Sequence, residues 1–387
     1  MLNLSRIFYS ELDSDRFHHR IKPAPDRHES LVQAKNDIRN HLRPRIKAAT
    51  VALLGMSHPV EPRFRSQGSQ RYKACLDPAH LPPQEMDWDY GVYLPVTVWE
   101  ENGPPPAMAK AYFNLVEGLL KDLCKQKGWT LVSGKDSCVR VQVASWGHID
   151  LPLYAASEQE FSRIVERAAL SGSLRKRAGD SALEAAATAG ELVDQEWDDM
   201  EHVMLATRRG EWKESDPEVV TRWILDRVTE HGEQLRRVWC YVKAWRDHQW
   251  PTGGPSSVSM MIAVAQEYQG RLRRDDLALE HAARTLATAL AGPIRELAIN
   301  DEDFNRLDPE QRAEAAAKAA VLAERLQHAR MRRVGDEALA LGFVTAQLGQ
   351  RTPDRPDLIE PDRAEESVRS VPARQVVAPL VPSTKAG

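Results

Sequence analysis

The segment VRVQVASWGHIDLPLY, residues 139–154, constrains the fold more than any other stretch of the chain. VRVQV alternates apolar and polar residues, SWG suits a turn, and HIDLPLY alternates again, so the segment reads as a β-hairpin. Arg63–Gln67 and Met86–Pro95 also have strand character, and with Val139–Leu153 they give a small mixed sheet. A helix over Ala107–Gln126 separates these strands and stops before Gly128, a C-cap glycine. An earlier helix over 29–55 places Leu31, Val32, Ile38, Leu42, Ile46 and Val51 at helical intervals, with a kink or break expected at Pro44. From about residue 156 to 349 the pattern is almost entirely helical, with Ala-rich runs such as SALEAAATAGELV and AEAAAKAAVLAERL. Beyond about Gln350 the chain holds six of its 24 prolines in fewer than 40 residues and reads as disordered.

The expected fold is α+β. Residues 1–155 form an N-terminal helix and catalytic core, 156–349 a helical lobe, and 350–387 a Pro-rich tail ending in Gly. A length of 387 residues accommodates two such lobes around one cleft. The 52 Lys and Arg against 56 Asp and Glu leave a net charge of −4, which disfavours a nucleic-acid partner bound through a basic face. No run approaches the length of a membrane span, and the N-terminus has no apolar stretch of a secretory signal. The four cysteines are far apart in sequence, so reduced thiols and a cytoplasmic location are expected.

The chemistry concentrates in a few places. On a strand, Asp87 and Asp89 project to one side, with Cα atoms about 6.6 Å apart. Two carboxylates at that spacing repel unless a cation sits between them, and Mg²⁺ is a hard ion held by carboxylates and phosphate oxygens. Asp150, on the second hairpin strand, could complete a two-metal clamp. By itself the pattern also fits a solvated acidic strand, the commoner case. Gly68-Ser69 lets backbone approach a phosphate and adds a hydroxyl, though a plain turn with a helix cap has the same sequence. Alternation turns Arg140 away from Val139 and Val141, toward a cleft or toward solvent. Gly253-Gly254-Pro255-Ser256-Ser257 opens a helix with free N–H groups and hydroxyls, suited to phosphate, with Ser257 the best contact. His148 precedes Asp150 by two and reads as strand polarity rather than as a metal partner.

The order of these features, a Gly-Ser turn, a short helix over Gln70–Ala74, a D-x-D strand and a further strand Asp, resembles the polymerase-β-like nucleotidyltransferases. Four blocks sharpen the likeness: QGSQRYKACLDPAHLPPQEMDWDYGVYLPV, SGKDSCVRVQVASWGHIDLPLYA, VMLATRRGEWKESDP and LRRVWCYVKAWRDHQWPTGGPSSVSMM. Together they resemble the bacterial cGAS/DncV-like nucleotidyltransferases (CD-NTases), and most of all their cyclic GMP–AMP synthase branch. The similar blocks run from about residue 60 to about 310.

The resemblance implies that Asp87, Asp89 and Asp150 hold two Mg²⁺ ions (or Mn²⁺), with Asp150 also placed to help deprotonate a 3′-hydroxyl. It implies that Gln67, Gly68 and Ser69 form the donor-nucleotide turn and that Tyr72 stacks on a base. Arg140, Lys243, Ser256 and Ser257 would meet phosphate, while Ser215 and Asp303 would read a base edge, with Asp301 and Glu302 as neighbouring alternatives to Asp303. The implied activity joins ATP and GTP into 3′,3′-cyclic GMP–AMP in antiphage (CBASS) signalling, where the product activates an effector. Gly387 would be conjugated by an E1/E2-like partner. Another cyclic di- or trinucleotide, a linear oligonucleotide, or a non-catalytic nucleotide-binding scaffold are the competing outcomes.

Overall fold

The computed structural model describes residues 1–100, 103–159, 161–162, 203–215 and 217–363. After a short strand β1 (Leu2–Asn3) and two single-turn helices, α1 (Ser5–Phe8) and α2 (Phe17–Arg20), helix α3 spans Pro25–Leu54. It runs through Pro44 without a break, so of the kink or break expected from sequence the break does not occur. Leu42 and Ile46 flank the proline and are fully buried. Such packing offsets the roughly 3 kcal/mol that an interior proline costs. Strand β2 (Arg63–Ser66), the turn-like α4 (Gly68–Arg71) and strand β3 (Met86–Val96) follow, then α5 (Pro106–Lys127), closed by Gly128 at φ 70°.

Strands β4 (Thr130–Val132), β5 (Val139–Ala144), β6 (Gly147–Leu151) and β7 (Leu153–Ser157) complete most of the sheet. β5 and β6 form the expected hairpin. β6 and β7 continue one another along β3, parallel to it and in constant register: Asp87 stands opposite His148, and Val92 opposite Leu153. The alternation is strict. Trp88, Tyr90, Val92, Leu94, Val139, Val141, Ile149 and Leu151 point into a core shared with α3 and α5. The opposite face carries the intervening residues.

Two further strands, β8 (Met204–Ala206) and β9 (Trp212–Glu214), extend the sheet through β7. They lie in a stretch that reads as helical from sequence, which corrects that expectation; three-residue strands are too short to show a period. The run SALEAAATAGELV lies outside the described residues. Helices α6 (Pro217–His231), α7 (Glu233–Gln249), α8 (Ser257–Gln266), α9 (Asp275–Ala289), α10 (Pro309–Arg330) and α11 (Glu337–Leu348) build the second core. Trp239 and Trp245 sit at its centre, and Leu2, Leu4, Ile7, Phe8, Phe17 and Ile21 pack into it, so the N-terminal segment joins the helical lobe.

The first residues of the expected tail, 350–363, are folded. Leu358 and Ile359 are buried, and β10 (Glu360–Pro361) pairs antiparallel with β1. Pro361 is tolerated there because a two-residue edge pairing does not require its missing N–H. Arg274, 2% exposed, ties the ends down: it donates to Asp276 at 2.9 and 3.0 Å and to Asp362 at 2.8 Å. Asp276 in turn accepts from the Leu4 N–H at 3.1 Å and the Ser5 hydroxyl at 2.5 Å. No helix of the described residues is long and apolar enough to cross a membrane. All four cysteines are free and buried.

Candidate active site

The polar face of the sheet is a grid fixed by register. Asp87 and Asp89 lie on β3, His148 and Asp150 opposite them on β6, and Gln142 and Arg140 opposite these on β5. Paired residues of adjacent strands share a face and stand about 4.8 Å apart. Asp87, His148 and Asp150 therefore each bring a ligand atom within 4.8 Å of the others, a donor set that suits a divalent cation. Burial, then the charges of Asp87 and Asp150, pushes the Asp89 carboxyl up to about 7. Such crowding of carboxylates is relieved by a cation or a proton. His148 is 6% exposed; its Nδ1 lies 2.6 Å from Glu85 Oε2 and its Nε2 3.2 Å from Asp87 Oδ1, yet Nε2 has no hydrogen-bond partner.

Gly68 brings the turn against these acids. Its φ is +57°, and a Cβ there would meet Asp89 Oδ2 at 2.2 Å. The cavity beside the acids, about 360 Å³, runs from Ser69, Tyr72 and Cys75 past Asp87 and Asp89 to the helical lobe, where Lys243, Arg246 and Ser257 line it. Lys243 is 6% exposed and donates to the Ala74 carbonyl at 2.5 Å. Burial holds its amine below the usual lysine value. Arg246, three residues on and one helical turn away, donates to Ser257 Oγ at 3.2 Å. Tyr72 joins the helical core while facing the cavity, and burial followed by the Asp89 and Asp87 charges raises its phenol well above the usual range.

Other residues picked from sequence stand elsewhere. Gln67 is buried; its side chain donates to the Tyr93 hydroxyl at 2.6 Å and supports the turn from beneath rather than entering the cavity. Arg140 faces the site, but its fork is bound to both Asp150 oxygens at 2.6 Å. Ser256 caps α8 through the Ser259 N–H at 3.1 Å, which leaves Ser257 as the hydroxyl in the cavity. Asp303 accepts from the Ile294 and Asn305 N–H groups, both at 2.9 Å, and from Arg312 at 2.7 Å. Its oxygens organise a loop, and neither it nor half-buried Ser215 lines the cavity. Gly387 lies outside the described residues. Sequence reasoning missed Arg246, Glu85 and Trp250 as cavity residues. Only the one-turn spacing from Lys243 signalled Arg246.

Two family models match the chain: "Cyclic GMP-AMP synthase DncV-like, nucleotidyltransferase domain" over residues 62–154, and "Cyclic GMP-AMP synthase, C-terminal domain" over 232–360. Cyclic GMP-AMP synthase of Escherichia coli is 38% identical over 208 residues, 53% of this chain and 46% of that protein. The synthase of Vibrio cholerae serotype O1 is 37% identical over 216 residues, 53% of this chain and 47% of the relative. The chain thus spans about half the length of the curated relatives it matches. A crystal structure of Vibrio cholerae DncV cyclic AMP-GMP synthase in complex with the linear intermediate 5′ pppA(3′,5′)pG superposes with a TM-score of 0.73, covering 94% of this chain and 99% of that one at 22% identity, a likeness of fold.

Proposed function

Because the chain belongs to the DncV-like nucleotidyltransferases, we propose that it is a nucleotidyltransferase joining ATP and GTP into 3′,3′-cyclic GMP–AMP with release of pyrophosphate. The observation that carries this reading is the convergence of Asp87, Asp89 and Asp150 on one sheet face beside a cavity reaching Lys243 and Ser257 of the other lobe. Divalent cations held by the three acids, two Mg²⁺ or Mn²⁺, would activate a 3′-hydroxyl and spread the charge at the attacked α-phosphate. Ser69, Lys243 and Ser257 bind the triphosphate, with Arg246 beside them. Lys243 and Arg246 offset phosphate charge in a setting where water is partly excluded. Tyr72 stacks on a base, and Arg140 aims the Asp150 carboxylate. The reading takes the sheet with α3 and α5 as the catalytic unit and the helical lobe as the wall completing the cleft.

Solved relatives crystallised with ATP and GTP, or with a linear dinucleotide, support these substrates. The cyclic product would act in the cytoplasm on an effector in antiphage defence. A conjugating E1/E2-like partner would act on the C-terminal Gly387; unchanged conjugation after its deletion removes that part. The decisive experiment incubates the full chain with ATP, GTP and Mg²⁺ and maps product linkages with nucleases of known specificity. A cyclic product with two 3′–5′ linkages supports the proposal, and only linear or no product overturns it.

A further inference from the structure

The position of His148 among the acids is set by register rather than by any local motif. Parallel pairing places it directly opposite Asp87 and on the same face as all three acids. Glu85 immediately precedes β3, and its Oε2 sits 2.6 Å from His148 Nδ1. A carboxylate at that distance holds a proton on Nδ1, so in the neutral ring the lone pair is on Nε2. Nε2 lies 3.2 Å from Asp87 Oδ1, without the geometry of a well-formed hydrogen bond, in a side chain 6% exposed. A buried imidazole acceptor held against the half-exposed Asp87 carboxylate calls for something positive between them.

A proton or a metal ion can fill that gap. Asp87, Asp89, Asp150 and Glu85 put four carboxylates around His148, and Arg140 supplies one cation, so one added proton still leaves the set negative. A divalent cation offsets twice the charge that a proton does. We propose that His148 Nε2 is a metal ligand, oriented by Glu85, and that this nitrogen makes the centre favour a first-row transition-metal dication over Mg²⁺. Carboxylate with water suits Mg²⁺, a hard oxygen-seeking ion, whereas an imidazole nitrogen shifts a site toward softer divalent metals. The arrangement repeats the carboxylate–histidine–metal relay, in which the outer carboxylate sets ring orientation and ligand basicity. The inference rests on the reading of this face as a metal centre and adds a ligand and a metal preference to it.

The test uses Mn²⁺ alone as probe, on the full chain without nucleotide. Pulsed EPR detects ¹⁴N coupling from a directly bound imidazole, and titration gives relative affinities for Mn²⁺ and Mg²⁺. The expected result is a ¹⁴N coupling in the wild type that disappears in His148→Gln, with Mn²⁺ bound at least about 10-fold tighter than Mg²⁺. Glu85→Gln should keep the nitrogen coupling and weaken Mn²⁺ about 10-fold. Bound Mn²⁺ with oxygen ligands only, a coupling that survives His148→Gln, or equal affinities would overturn the inference and leave the proposed reaction standing. Absence of any bound Mn²⁺ would overturn both. The wild-type spectrum decides the matter even if the His148 variant does not fold.

Discussion

Two charge clusters in this molecule look alike in composition and differ in how they end. In the helical lobe, Arg274 meets Asp276 and Asp362 at 2.8–3.0 Å, and Asp276 also takes the Leu4 N–H and the Ser5 hydroxyl. Arg274 and Asp276 find several partners each there, although Asp362 Oδ2 has none, and the cluster joins three distant parts of the chain. On the sheet, Asp87, Asp89 and Asp150 crowd together with one guanidinium for three carboxylates, and a buried imidazole nitrogen goes unbonded. The first cluster spends its hydrogen bonds on holding the fold together. The second holds some in reserve, and a reserve of that kind is what a ligand uses.

The contrast can be broken from either side. The largest expected effect is on activity: Asp87→Ala with Asp89→Ala should lower the rate of dinucleotide formation at least about 10⁴-fold without lowering the melting temperature, as product assays and calorimetry would reveal. Arg274→Ala should do the reverse. Leaving Asp276 and Asp362 buried without their cation costs about 3–5 kcal/mol, read as a shifted denaturant midpoint. Next come the adjacent serines of α8. Ser256→Ala should cost about 1 kcal/mol of stability through the lost cap, with activity nearly kept. Ser257→Ala should keep stability and weaken the apparent affinity for nucleotide. Both follow from urea titration beside steady-state kinetics.

The smallest effect concerns pH. Asp89, pushed up to about 7 by burial and then by Asp87 and Asp150, binds its proton more tightly folded than unfolded. Its protonation therefore adds stability at pH 5 that is lost as pH rises through 7. In chelator, melting temperature should fall between pH 5 and 8 in the wild type and much less in Asp89→Asn. An equal fall in both would separate the effect from this carboxyl.

Much of the acidic face was legible because alternation is local. Asp87 and Asp89 on one side, Arg140 turned from Val139 and Val141, and Gly128 closing a helix all follow from neighbours in sequence. What sequence hid is long-range. The pairing of Asp87 with His148 spans strands on either side of α5, and no local pattern announces it. Gln67 looks like a binding residue until Tyr93 is found above it. Asp303 looks free until its own loop closes on it. The prolines at 353, 356 and 361 suggested disorder, but Leu358 and Ile359 anchor the segment that contains them.

The contact at Gly68 has a mechanical consequence. A methyl group there would overlap Asp89 Oδ2, and the Gln67 N–H already bonds the Asp89 carbonyl at 2.9 Å. The turn and the acid therefore share one small volume and cannot move past each other. A push on residues 68–69 from a bound phosphate is delivered to the carboxylate directly, like a hand on a lever with no slack. Substrate and metal positions in such a site are set together, and an error in one becomes an error in the other.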